Sequence, residues 1–498
     1  MSTLSSSLPQ QSRRKPIAAC IASLFALSAP VAAVAANTWP VTSCADDGSG
    51  GTLRSVVSAV TTLSGDTVDL STLSCLNSKI SLVSSYITVA QNSLTIQGPG
   101  ASALQIDGSL LPRGFPSYSR LFTHNGNGTL TIADLSLTGG YLFHHNVPSL
   151  GGCIYSLAHV SLTRAKVSSC TATSSYDRAY GGGVYTKGDL TLDRSTVSGN
   201  SASSGSLALG GGARVGGNLV ASYSTISGNQ AQALGSCVQT AAVGSNQAQK
   251  SGACGGGLNV AGSVSITAST ISGNSSSGRF GGIDAYSPMP AANTFTLVNS
   301  TISGNTAADA VGGAYVNSAA ARFYNSTIAF NTAVVGHTGA SMPYTFYSPG
   351  LELSARYVSM ALTLKSTLIS NNTYAASEND LSANFVGLHS ITVNSAPANN
   401  FVRTTFVTGL PSDTLQGSCP LLGPLRNNGG LTQTHALLSH SPAIDAGNNI
   451  SALSFDQRGL PNVRVSGPPG SMSPRPDIGA YEVNQADIVF NANFEGCP

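Results

Sequence analysis

The sequence predicts an all-β protein: a right-handed parallel β-helix with a short N-terminal capping helix and an irregular C-terminal cap. The first observation behind this is a repeated phrase. Ser-Thr-Ile-Ser-Gly-Asn stands at 224–229, 269–274 and 300–305, with a near copy at 195–200 and looser ones at 326–331 and 366–371. The second is its spacing: the phrase advances by 29, 45, 31, 26 and 40 positions, a unit of roughly 30 residues with insertions. The third is a partner phrase built on Gly-Gly, as at Gly181-Gly182-Gly183, Gly210-Gly211-Gly212, Gly255-Gly256-Gly257 and Gly312-Gly313. Two or three short strands plus turns fill such a unit, which makes it one coil of a β-helix. Leucine-rich repeats would need a denser Leu pattern, and a propeller about 40 to 50 residues per blade. On the order of ten to twelve coils at ~4.8 Å each would make a rod ~50 to 60 Å long.

Composition agrees. With 55 glycines and only 9% charged and 6% aromatic residues, the chain offers no large compact core, while alternating Leu, Ile and Val argue against disorder. A net charge of +2 gives no long-range field, so neither nucleic acid nor an anionic membrane is indicated as partner.

Taken in order, residues 1–36 read as a secretory signal peptide, because Arg13-Arg14-Lys15 precedes an apolar run that closes on Ala33-Val34-Ala35-Ala36. The run is alanine-rich and ends in small residues, which favours a signal over a membrane anchor, and no later segment is apolar enough to span a bilayer. The mature chain is then extracellular or on the outer cell surface, and a monomer is expected. Residues 37–79 form the N-terminal cap. There Leu53, Val56, Val57 and Val60 share one helical face, with Thr52 or Ser49 as N-cap. A solenoid needs such a lid over its first rung.

Coils are expected over 80–410. Leu130-Thr131-Ile132, Leu190-Thr191-Leu192, Val264-Ser265-Ile266 and Phe295-Thr296-Leu297 each place two residues inward, and the Ile, Leu or Val that follows five positions later falls out of phase, which calls for a bend or bulge. The Asn closing each phrase suits a left-handed turn conformation, and stacked amides would form a ladder. Leu111 to Arg120 reads as a side loop. Eight cysteines remain after the signal; spacing suggests Cys44 with Cys75, Cys153 with Cys170 and Cys237 with Cys254, which leaves Cys419 with Cys497. With no Cys-x-x-Cys and no clustered His, zinc is not expected, nor any cofactor.

At these residues a resemblance enters. The Gly-Gly phrases alternating with x-x-x-Asn, as in Ile302-Ser303-Gly304-Asn305 leading to Gly312-Gly313-Ala314, resemble the repeats of polymorphic outer membrane proteins, with Ile or Val in place of the usual Phe. Residues 411–485 carry Leu425-Arg426-Asn427-Asn428-Gly429-Gly430-Leu431-Thr432, Ser441-Pro442-Ala443-Ile444-Asp445-Ala446-Gly447, Asp456-Gln457-Arg458-Gly459 and Pro476-Asp477-Ile478-Gly479-Ala480-Tyr481-Glu482. That set resembles bacterial choice-of-anchor Q proteins, and Cys44 to Leu70 resembles their N-terminal cap. The resemblance implies a surface location and a β-helix, with no shared activity to carry over. The tail 486–498 holds no sorting helix.

Candidate chemistry is sparse. The Asn-Thr-Asp, Asp-Asp and His-Gly phrases of β-helical polysaccharide hydrolases are missing from the repeats. Asp189, Asp193 and Arg194, and Asp284 and Asp309 beside Gly-Gly phrases, read as solvated acids at turns, and His144, His145 and His159 as too few for a metal. Asp445, Asp456, Arg458, Asp477 and Glu482 read as a structural network in the C-terminal cap, Arg458 pairing with Asp477 or Glu482. Tyr155, Tyr185 and Tyr315 hold nearly equivalent places after Gly-Gly; facing out they would stack on sugars, facing in they would stack in the core. The expectation is a non-enzymatic, adhesin-like protein that binds glycan or a cell surface, with a carbohydrate-active enzyme as the alternative. Function is to be sought where repeats differ, at 231–254 and 334–349 and in the C-terminal cap.

Overall fold

The computed structural model describes residues 36–60, 65–114, 117–234, 252–286, 292–335, 348–356, 358–374, 377–385, 388–449, 452–466 and 474–484. The signal segment, Cys237, Cys497 and the tail therefore lie outside the described residues.

Each coil passes through four sheets rather than two or three strands. One full coil runs Leu190–Asp193, Thr196–Ser198, Ser201–Ser204 with Leu207–Leu209, Ala213–Val215, and back to Leu219–Ser222. Stacked in register, these give a first sheet of 12 strands, a second of 11, a branched third of 13 and a fourth of 10. Alternate side chains fill the inside: Leu190, Leu192, Val197, Ala213 and Val215 are all fully buried. Among the described residues no helix is long and apolar enough to cross a membrane.

The predicted phase change between first and second sheets is a single left-handed residue per coil. Asp134, Arg164, Arg194, Tyr223, Ala268, Asn299, Asn325 and Ser366 all sit at φ between 46 and 51°. One such residue turns the chain without disturbing either strand, at a steric cost that recurs in every coil.

At the next corner the expectation is corrected. Gly199, Gly228, Gly273 and Gly304 adopt the left-handed conformation, at φ 62 to 64°, and not the Asn after them. The asparagine instead turns its side chain inward. Asn274 Oδ1 accepts from the backbone N–H of Asn229 (3.0 Å) and from its Nδ2 (2.9 Å), while Asn274 Nδ2 donates to Ile226 O (3.0 Å) and Asn305 Oδ1 (2.9 Å). The same pattern links Asn200, Asn229, Asn274, Asn305, Asn331 and Asn372 and ends on Asp380 Oδ1. In the last copy Asn371 takes the left-handed place (φ 60°), so Asn372 enters the ladder. A second ladder uses the first Ser of each phrase: Ser195, Ser224 and Ser269 donate backbone N–H to the hydroxyls of Ser224, Ser269 and Ser300 at 3.0 to 3.1 Å.

The two sequence phrases are coupled by packing. A Cβ on Gly183, Gly212 or Gly257 would come within 2.9 to 3.0 Å of the Cγ of Asn200, Asn229 or Asn274, so the ladder amide needs glycine opposite it. In the preceding coil Cys153 and Cys170 hold these two positions and are joined by a disulfide with Cα atoms 5.5 Å apart. There the covalent bond replaces the Gly/Asn pair.

The N-terminal cap is the helix Leu53–Ala59, with Thr52 as N-cap accepting from Ser55 N–H, and Leu53, Val56 and Val57 buried on the first coil. Asp46 pairs with Arg54 (2.8 Å) and accepts from Val83 N–H (2.8 Å), which ties cap to coil, and the Cys44–Cys75 disulfide closes it. Cys254 and Cys419 are also disulfide-bonded. The side loop forms a small antiparallel pair, Arg113–Gly114 with Ser117–Tyr118.

At the other end Thr405 pairs beside Leu381 and Leu415 beside Phe401, closing the last coil. The described residues between 421 and 484 then fold back along the outer face of the second sheet. Thr270 Oγ1 donates to Gln433 O (2.6 Å), Thr301 Oγ1 to Gln457 Oε1 (2.6 Å), and Thr327 Oγ1 accepts from Ala480 N–H (3.0 Å). His435, which burial pushes down to about 4, is neutral: Nδ1–H donates to Gly423 O and Nε2 accepts from the Ser303 hydroxyl, each at 2.7 Å.

Candidate functional site

The outer faces of the third and fourth sheets turn toward each other at the Gly-Gly corner. Gly151, Gly181, Gly210 and Gly255, and later Phe280 and Ala310, make that corner with φ of 63 to 70°. Side chains from the two sheets meet across it. Tyr180 stacks on Tyr185 with centroids 6.4 Å apart, Phe280 on Tyr315 at 4.4 Å, and Leu207, Leu209, Cys254 and Val311 join a cluster separate from the main core.

Along the fourth sheet one outward residue per coil forms a column: Tyr155, Tyr185, Arg214, Asn259, Asp284, Tyr315 and Glu352, paired in register. All three predicted tyrosines therefore face away from the main core. Their faces are nonetheless used: Arg120 lies over Tyr155 at 4.7 Å, and Tyr155 stacks on Tyr185 at 5.5 Å with planes 6° apart. Stacking of coils thus turns ring edges and hydroxyls, rather than ring faces, toward solvent. Tyr155 and Tyr185 are half-buried, whereas Tyr315 is buried against Phe280.

Asp284 and Asp309 are not solvated turn acids. Asp284 is fully buried in the strand Ile283–Tyr286 and accepts from Asn259 Nδ2. Asp309 ends the strand Thr306–Asp309 and pairs with Arg279 at 3.2 Å, both side chains about nine-tenths buried. The inside corner, which no turn statistic reveals, is what desolvates them. Sequence reasoning also passed over Glu352. It is 2% exposed and accepts from Asn384 Nδ2 (2.7 Å), and burial lifts its carboxyl to about 8, so it holds its proton at neutral pH. A signal for these residues exists: Arg214, Asn259, Asp284 and Glu352 each stand two positions after the last glycine of their phrase, the place occupied by Tyr185 and Tyr315.

The remaining candidates are separate from the column. His159 and Asp189 face each other at 3.2 Å and Arg194 meets Asp193 at 3.2 Å on the first sheet, Arg194 exposed and the other three half-exposed. Among the described residues no group of three or more His, Cys, Asp and Glu is placed to hold a metal. In the C-terminal region Arg458 pairs with Asp456 at 2.7 Å and bonds Glu482 through its backbone carbonyl at 2.5 Å, stacking on Tyr481 at 3.9 Å. The acids expected to meet Arg458 serve backbone N–H groups instead: Asp477 accepts from Asp445 (2.7 Å) and Val483 (2.7 Å), Glu482 from Ser466 (2.8 Å) and Asp477 (2.9 Å). Asp445 takes part through its backbone, its side chain being exposed at φ 52°.

No family model and no curated protein sequence matches the chain. Among solved structures the crystal structure of pectate lyase Pel9A is similar at 13% identity, covering 91% of this chain and 98% of that one, with a TM-score of 0.33.

Proposed function

We propose that this is a secreted or surface-exposed, non-enzymatic protein of adhesin type that binds an extended glycan along the column of the fourth sheet. The observation that carries this reading is the column itself. On three successive coils, at ~4.8 Å spacing, it offers two hydroxyls and a guanidinium, half-exposed at Tyr155, Tyr185 and Arg214, before the column becomes buried from Asn259 onward. A line of hydrogen-bonding groups at a fixed repeat suits a polymer that is itself a repeat of hydroxyls. Two disulfides, and the resemblance of residues 411–485 to choice-of-anchor Q proteins, support the extracellular location.

The test is affinity electrophoresis of the chain through a panel of polysaccharides. Tyr155→Phe and Tyr185→Phe keep the ring stack and remove only hydroxyls, and each is expected to weaken binding about three- to tenfold. Unchanged mobility of both variants in every gel that retards the wild type would remove the column from the binding surface. A second reading, a carbohydrate-active enzyme, is favoured by Glu352, a protonated acid in the same column as the carboxyl of Asp284. Release of reducing or unsaturated ends from that panel, lost in Glu352→Gln, would overturn the non-enzymatic reading.

A further inference from the structure

One cation at the N-terminal end of the column lacks a counter-charge. Arg120 follows the side loop, just before the strand Phe122–His124. Thr123 holds the column position one coil before Tyr155, and beside this short side chain the Arg120 guanidinium lies flat over the Tyr155 ring. Burial pulls Arg120 down to about 10, which still leaves it charged at neutral pH. Two other stacked arginines have their acids: Arg194, over Tyr223, has Asp193, and Arg458, over Tyr481, has Asp456; Arg113, over Tyr141, is exposed to water instead. Arg120 has neither a carboxylate within ion-pair distance nor a hydrogen bond among the described residues.

A largely desolvated guanidinium with five unused donors is costly. Its plane is already fixed by the tyrosine beneath it, so little freedom is left to lose when a planar, two-oxygen anion arrives. Tyr86, 42% exposed, and His144, whose imidazole burial holds below its usual range, lie within electrostatic reach of Arg120. Arg214 supplies a second cation in the column three coils on, ~14 Å away.

We infer that Arg120 on Tyr155 is an anion subsite, and that the glycan bound along the column is acidic, a polyuronate whose carboxylate forms a bidentate pair with Arg120. This rests on the glycan-binding reading and specifies its ligand.

The experiment compares polyuronates (alginate, polygalacturonate) with the same polymers after carboxyl reduction, which keeps backbone and linkage and removes only the charge. Wild-type protein is expected to bind a polyuronate about ten- to a hundredfold more tightly than its reduced form, with the preference shrinking as salt rises. Arg120→Gln should lose that preference while keeping wild-type affinity for the reduced polymer, and Arg120→Lys should retain part of it. Retained affinity of Arg120→Gln for the reduced polymer, together with an unchanged thermal midpoint, shows that the variant is folded. Equal affinity of the wild type for charged and reduced polymers overturns the anion subsite and leaves glycan binding standing. Failure to bind any polyuronate, with binding of neutral glycans intact, does the same; failure on every polymer overturns both.

Discussion

Asn274→Ala is expected to lower the stability of the coils by on the order of 3 to 6 kcal/mol, far more than a surface substitution in the same phrase such as Thr225→Ala. The estimate follows from which groups lose partners. Removing the amide leaves Asn229 N–H, one hydrogen of Asn229 Nδ2 and Ile226 O without their bonds, and Asn305 Oδ1 short of one donor. Asn229, Asn274 and Asn305 are each 0% exposed, so no water takes over, and each orphaned buried group costs about 1 to 3 kcal/mol. Asn274→Asp restores the acceptor but not the donor, and sets a carboxylate oxygen against Ile226 O and Asn305 Oδ1; it should be no better than Ala. Guanidinium unfolding gives the total. Hydrogen exchange should show the loss centred on the second and third sheets at 225–233 and 270–279. A denaturation midpoint within error of the wild type would mean that the ladder contributes order without stability.

That ladder also shows how much of the fold the sequence carried. The inward Leu, Ile and Val, the coil period, the N-terminal helix with its Thr52 cap and the Cys44–Cys75 and Cys153–Cys170 pairs are all where the residues placed them. The division of labour inside the phrase was not legible. Asn and Gly both tolerate a left-handed backbone, and only the stacking of coils decides that Gly199 bends while Asn200 bonds. Nor was the fourfold division of a coil, because strands of three residues separated by one left-handed residue leave too short an alternation to read.

The column was half legible. The tyrosines stand out by their place after Gly-Gly, yet Asp284 at the same place reads as a solvated acid and Glu352 gives no reading at all, since their burial depends on the third sheet closing over the corner. Arg120 gave no signal at all: its partner Tyr155 lies a whole coil away. The C-terminal region was legible as a network but not as a strap. Thr196 and Thr225 in uncovered phrases are the same residue type as Thr270 and Thr301 in covered ones, and nothing local marks which of them meet Gln433 and Gln457.

Arg458→Met is expected to release that strap while leaving the coils folded. The guanidinium, 1% exposed, holds Asp456 at 2.7 Å, Glu482 O at 2.5 Å and Asn428 O at 3.3 Å, so one substitution unties three separate segments. Methionine keeps much of the apolar bulk against Tyr481 but strands Asp456 as a buried lone carboxyl, a loss of about 3 to 5 kcal/mol for a pair broken on one side. The strap is also the part of the molecule that should yield to pH. Burial, reinforced for Glu482 by the charge of Asp477, raises Glu482 to about 8 and Asp477 to about 6. Their folded values lie above the unfolded ones of about 4, so their contribution is complete below pH ~4 and is lost as pH climbs through 6 and then 8. The amides and hydroxyls of the two ladders do not titrate, which confines the effect to the strap, to the ladder's end at Asp380 and to Glu352 in the fourth sheet. Hydrogen exchange at pH 5 and pH 9, corrected for intrinsic rates, should therefore show residues 268–272, 299–303 and 325–329 of the second sheet deprotected in Arg458→Met at both values. In the wild type the same residues should lose protection only at pH 9, and the fourth sheet from Phe122–His124 to Leu258–Val260, away from Glu352, should stay protected throughout. If those residues stay as protected in Arg458→Met as in the wild type, the hydroxyl contacts of Thr270, Thr301 and Thr327 hold the strap without the ion pair, and Arg458 only orders the turn around Asp456.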